Sequence, residues 1–228
     1  MSKLNYKCII LDHDDTTVNS SRFIYHKIFN ETLHDLFPDQ KLITLEEWFY
    51  KQWHGGIRKY YAEVGMTGDY LKEFYRRVDA QGQHIDVQFF DGFYEFLQAF
   101  RKAGGVICVC SNTIRATIEA HYKRLTNGQF MPDEIYGVNR ECPEQNKPNP
   151  YAIEQIMNKY GFKPEEMIVM DDMKSGLYFT HHFPGMKSIG ILYCEAHEAL
   201  RDVITEEASY VANTVDDLYP IFGLEKQQ

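Results

Sequence analysis

Clusters of Lys and Arg are missing from this chain, and its balance of 24 basic against 33 acidic side chains leaves a net charge of −9. Nonspecific nucleic-acid binding depends on clustered basic residues, so no nucleic-acid partner is expected. Long apolar runs are missing as well: no stretch approaches the roughly 18 apolar residues of a membrane span, and no secretory h-region is visible. The expectation is therefore no membrane association and a cytoplasmic location. Paired Cys-x-x-Cys spacing is absent. The cysteines Cys8, Cys108, Cys110, Cys142 and Cys194 form an odd set without zinc-site geometry, and Cys108 and Cys110 read as small hydrophobes on one face of an apolar strand. There is no internal repeat and no low-complexity segment.

What is present is the composition of an ordinary globular protein, 44 % hydrophobic and 25 % charged over 228 residues, enough for one core domain and a smaller companion. Apolar runs alternate with segments of helical period, the pattern of a parallel sheet covered by helices. Strands are predicted at Leu4 to Leu11, Val106 to Cys110, Ile168 to Met170 and Ser188 to Leu192, with a weaker one near Glu134 to Val138. Phe93 to Ala103 reads as a helix closed by Gly104-Gly105, and Ile114 to Leu125 as another. Asn149-Pro150 reads as an N-cap with Pro at the first helical position, opening a helix that stops at Gly161.

The interval from Val18 to Phe90 breaks this alternation because it is helical throughout. Ser21 to Leu36 carries apolar residues at helical spacing, Thr44-Leu45-Glu46-Glu47 is a capping box, and Gly55-Gly56 separates it from stretches at Ile57 to Val64 and Asp69 to Ala80. A strand-to-helix connection normally takes a few residues, so an insertion of this length predicts a separate helical lid. The expected fold is an α/β, Rossmann-like doubly wound parallel sheet formed by residues 1–17 and 91–228, with a small all-helical domain at 18–90.

Four short motifs fall where strands end, the edge at which open α/β sheets bind ligands. The first strand runs into Asp12-His13-Asp14-Asp15-Thr16. Carboxylates crowded at a strand end raise each other's pKa and weaken folding, so their presence points to a cation or a proton-transfer step. The second strand ends in Ser111-Asn112, Lys147-Pro148-Asn149-Pro150 precedes a helix, and the third strand ends in Asp171-Asp172 with Ser175-Gly176 beyond. Taken singly, these are a turn, a surface loop and a solvated acidic pair. Their order and strand-end context together carry the functional reading.

That set resembles the haloacid dehalogenase (HAD)-like hydrolase superfamily over nearly the whole chain. Asp12-x-Asp14-x-Thr16 looks like its first motif, Ser111-Asn112 its second, Lys147 its third and Asp171-Asp172 its fourth. The acidic pair followed by Gly176, the run Gly185-Met186-Lys187-Ser188-Ile189-Gly190 and a helical cap after the first motif look most like the β-phosphoglucomutase and phosphonatase branch. The resemblance implies a small phosphorylated metabolite as substrate and Mg²⁺ as cofactor, held by Asp12, Asp14, Asp171 and Asp172. It implies that Asp12 attacks phosphorus, Asp14 acts as acid and base, Ser111 and Asn112 bond the phosphoryl oxygens, Lys147 holds their charge, and Thr16 fixes the loop.

Two residues depart from the family pattern. Asp15 stands where the family usually has Gly, and Asp enters the left-handed region at little cost. His13 replaces an aliphatic residue and reads as packed and neutral. In the cap, Arg58 follows Gly55 by three residues, as does the phosphate-binding Arg of the mutases, although a solvated helix start explains it equally well. A Mg²⁺-dependent phosphatase leads. The alternatives are a β-phosphoglucomutase-like isomerase and a noncatalytic phosphate-binding module. Asp14 argues against dehalogenation and phosphonate cleavage, whose branches lack it. A monomer or small homo-oligomer is expected.

Overall fold

The computed structural model describes residues 4–226. Residues 1–3 and 227–228, at the two ends of the expected sheet domain, lie outside the described residues. The chain begins with β1 (Cys8–Leu11), then passes through four helices, α1 (Tyr25–Leu36), α2 (Leu45–Gly55), α3 (Ile57–Glu63) and α4 (Gly68–Gly82). There follow α5 (Phe93–Lys102), β2 (Val106–Cys110), α6 (Arg115–Leu125), β3 (Glu134–Tyr136), α7 (Tyr151–Tyr160) and β4 (Met167–Asp171). The rest comprises α8 (Lys174–Leu177), α9 (Phe179–His182), β5 (Lys187–Ile191), α10 (Arg201–Glu207), β6 (Tyr210–Ala212) and α11 (Leu218–Phe222).

The strands form one sheet in the order β3-β2-β1-β4-β5-β6, with every neighbouring pair parallel. This is a Rossmann-like, doubly wound α/β fold. Chain direction across the sheet reverses between β1 and β4, and the crevice outside the strands' carboxyl ends at that point is where such sheets take ligands. The sheet is buried on both faces, which explains near-continuous apolar strands. Ile9 and Leu11 meet Phe93, Phe96 and Leu218 on one face, whereas Cys8 and Ile10 meet Ala152, Ile153 and Ile156 on the other.

Helices α1 to α4 bury their own cluster around Phe29, Trp48 and Phe74, and that cluster continues into Leu192, Leu200 and Ile204 after β5. No helix among the described residues is long and apolar enough to cross a membrane.

Several boundaries shift from their predicted places. β1 is shorter than Leu4 to Leu11 because its neighbours β2 and β4 begin opposite Cys8, leaving no strand for the earlier residues to pair with. Helix α1 begins at Tyr25 rather than Ser21, since the Ser20 hydroxyl and Ser21 N–H are taken by the carboxylates of Asp14 and Asp15. The Thr44–Glu47 capping box forms as read. Helix α7 starts one residue later than expected, with Asn149 Oδ1 accepting from Tyr151 N–H at 2.9 Å, and ends at left-handed Gly161. The three-residue edge strand β6 was too short to show a period.

Candidate active site

The loop after β1 is folded by its own backbone. Asp12 N–H donates to Met170 O at 2.9 Å, His13 O accepts from both Thr17 and Val18 N–H at 3.1 Å, and Thr17 Oγ1 donates to Asp12 O at 2.7 Å. Asp15 takes φ +56°, the left-handed conformation for which Gly is the usual choice. Its side chain then turns inward, and Oδ1 accepts from Ser21 N–H at 3.1 Å.

At the switch point Asp12, Asp171 and Asp172 bring carboxylate oxygens within 4.8 Å of one another. All three are buried. Lys147 lies between two of them, with Nζ 2.7 Å from Asp12 Oδ1 and 2.5 Å from Asp171 Oδ2, and its side chain is 3 % exposed. One cation thus faces three buried acids. Burial raises the pKa of Asp12, only partly offset by the Lys147 ammonium, and neighbouring Asp14 raises it further. Burial also pushes Asp171 and Asp172 well up, each with the charge of Asp12 added. Burial works against charge on Lys147, yet Asp12 and Asp171 beside it hold its pKa above the ordinary lysine value.

Asp171 is fixed by its own turn, Oδ1 accepting from Met173 N–H at 2.8 Å. Gly176 in α8 leaves the space its carboxylate occupies, since a Cβ at that position would overlap the Asp171 side chain. Gly176→Ala is therefore expected to displace Asp171 and cost about 1–3 kcal/mol of stability, measured by chemical denaturation. Wild-type stability in that variant would show that the glycine's space is not used in this way.

Asp14 stands apart from the three clustered acids and is half-buried. Ser20 Oγ donates to its Oδ1 at 2.5 Å, and Thr113 Oγ1 donates to its Oδ2. The Tyr25 hydroxyl, at the start of α1, bonds Thr113 Oγ1 in turn. Thr16 Oγ1 donates to Asp172 Oδ1 at 3.3 Å, and Thr16 O accepts from Tyr193 at 2.6 Å. Ser111 is buried at the end of β2, its Oγ accepting from Thr113 N–H at 3.2 Å. Asn112 is exposed beside it.

Arg58 is exposed on α3, and among the described residues no hydrogen bond or ion pair joins it to the strand-end acids. His13 is fully buried, and burial next to His121 lowers its pKa to about 3, so it is neutral. His121 Nε2 lies 2.8 Å from Gly82 O, which requires its proton there, so His13 Nε2–H donates to His121 Nδ1 across 3.0 Å. Sequence reading missed Ser20, Tyr25, Thr113 and His121, each an ordinary polar residue outside any motif.

A family model described as "Haloacid dehalogenase-like hydrolase" matches residues 9–191. Pyrophosphatase PpaX of Halalkalibacterium halodurans is 28 % identical over 142 residues, a match spanning 61 % of this chain and 62 % of that protein. Pyrophosphatase PpaX of Bacillus cereus is 23 % identical over 220 residues, spanning 94 % and 95 % respectively. The fold is similar to that of a haloacid dehalogenase-like protein of unknown function from Agrobacterium tumefaciens, with TM-score 0.75, 20 % identity, and coverage of 95 % of this chain and 97 % of that one.

Proposed function

The chain belongs to the haloacid dehalogenase-like hydrolases, and from that premise we propose that it is a phosphatase acting on a small phosphorylated metabolite through an aspartyl-phosphate on Asp12. The observation that carries this reading is Lys147 bridging Asp12 and Asp171 at the switch point, with Asp172 beside them. A carboxylate and a phosphomonoester repel each other, and a buried ammonium against the attacking oxygen offsets that repulsion.

In the first step an Asp12 oxygen forms a bond to phosphorus as the ester P–O bond breaks, and Asp14 gives its proton to the departing oxygen. In the second, water attacks phosphorus, Asp14 takes the water's proton, and Asp12 leaves as a carboxylate. The hydroxyls of Ser20 and Thr113 donate to Asp14 and fix the orientation of its carboxyl group. Ser111 and Asn112, at the end of β2, are assigned to the phosphoryl oxygens.

The donor set also fits a hard divalent cation. It is all oxygen, it is buried, and its negative charge exceeds what Lys147 neutralises, so Mg²⁺ is the cofactor this reading assigns to Asp12, Asp171, Asp172 and the backbone of Asp14. When bound, the cation supplies further neutralisation of the phosphoryl charge. Residues 18–90 are assigned the role of a cap over this site and residues 1–17 and 91–228 that of the core.

The test is inorganic phosphate release across phosphorylated sugars, phosphoglycolate, pyrophosphate and nucleotides, with Mg²⁺ and with chelator. Release from at least one small substrate, lost in chelator, is the expected result. Conversion of a hexose 1-phosphate to the 6-phosphate without phosphate release would replace hydrolysis by transfer.

A further inference from the structure

One buried side chain stands against the acidic cluster with no hydrogen bond of its own. His197 begins the 3₁₀ turn His197–Leu200 after β5 and is fully buried. Its Nε2 lies 3.3 Å from Asp172 Oδ2, the Asp15 carboxyl and the Ile191 backbone also face the ring, and among the described residues neither ring nitrogen has a partner in full hydrogen-bond geometry. The other oxygen of Asp172 is the one that accepts from Thr16. The imidazole also meets Phe49 of α2, edge to face, with centroids 4.6 Å apart and planes at 77°.

A carboxylate oxygen facing Nε2 favours a proton on that nitrogen, where it is a donor. Carboxylates that ligate cations depend on such outer partners for orientation, and loss of one weakens binding. Nothing in the catalytic sequence above uses this histidine, and no motif contains it.

We propose that His197 is a positioning residue for the cation site, its Nε2–H restraining Asp172 Oδ2 while Phe49 of the helical insertion holds the ring in place. The inference rests on the reading of Asp172 as a cation ligand. It gives the insertion a second role: packing of α2 sets how firmly the acids hold the cation.

The test uses the full chain and Mg²⁺ alone. Thermal unfolding is followed against MgCl₂ concentration for wild type, His197→Leu, His197→Gln and Phe49→Leu, with the Mg²⁺ dependence of p-nitrophenyl phosphate hydrolysis as second readout. His197→Leu is expected to weaken apparent Mg²⁺ affinity about 10- to 100-fold, with turnover at saturating Mg²⁺ little changed. His197→Gln, which keeps an N–H donor, recovers part of that loss, and Phe49→Leu shifts affinity in the same direction by less. A measurement without a variant at this position accompanies them. The imidazole ¹⁵N resonances of His197 should move when MgCl₂ is added to the wild-type chain and stay still in Asp172→Asn.

Unchanged Mg²⁺ affinity in His197→Leu overturns the proposal and leaves the phosphatase reading standing. If that variant does not fold, unmoved resonances in the wild type overturn it instead. If wild type binds no Mg²⁺ at all and Asp172→Asn behaves identically, the cation reading of the cluster fails and this inference fails with it.

Discussion

Asp12→Asn is expected to reduce p-nitrophenyl phosphate hydrolysis by at least about 10⁴-fold, because the amide cannot form the covalent intermediate on which both steps depend. The same variant should be more stable than wild type in chelator. Asp12 is buried beside Asp14, Asp171 and Asp172, and its ionised form is opposed by burial and by those neighbours. Removing its charge relieves that repulsion while keeping the shape. Two measurements check this: mass spectrometry of acid-quenched protein should find phosphate on wild type and none on Asp12→Asn, and the melting temperature should rise. Wild-type turnover in the variant would sink the mechanism.

Lys147→Ala should cost about 3–5 kcal/mol, the usual consequence of leaving a buried charge without its partner. The effect depends on pH with an unusual sign. Burial and neighbouring acids raise the folded-state pKa of Asp12, Asp171 and Asp172, and burial with Asp172 raises Asp15 to about 8. Free carboxylates ionise near pH 4, so above that the folded state holds protons that the unfolded chain has lost, and stability falls as pH rises. The buried histidines work oppositely. His13 at about 3 and His197 at about 4 lose stability only as pH drops below the ordinary value near 6.5. Between about 6.5 and 8 only the carboxylates act. In chelator, wild-type stability should therefore decline across that interval, and Lys147→Ala more steeply, whereas Mg²⁺ should reverse the slope by favouring ionised acids. Denaturant titrations at the two ends of the interval decide it. A flat profile in chelator would mean that the acids ionise freely.

The cluster of strand-end acids was legible in the sequence because a parallel sheet writes it in consecutive letters. Asp12 and Asp171 each terminate an apolar run, and strand pairing alone sets β1 against β4. Asp15 could also be read, since a left-handed position leaves few choices of residue. What surrounds these acids was not legible. Thr113, Tyr25 and His197 reach the site by contacts that the fold creates between distant segments, and a single Thr, Tyr or His has no period or spacing to mark it. Arg58 is the reverse case: a spacing that matched a family pattern belongs to a side chain left in solvent.

The sheet order has one more consequence, for synthesis. β1 lies inside the sheet, but one of its two neighbours, β4, follows it in the chain only at Met167. At about 5–20 residues per second, the ribosome takes on the order of ten seconds to deliver that partner. Throughout that time one edge of a fully apolar strand, and the Asp12 loop beyond it, has no mate to zip onto. An apolar strand edge left unpaired for that long is open to aggregation, the hazard that chaperones counter during synthesis.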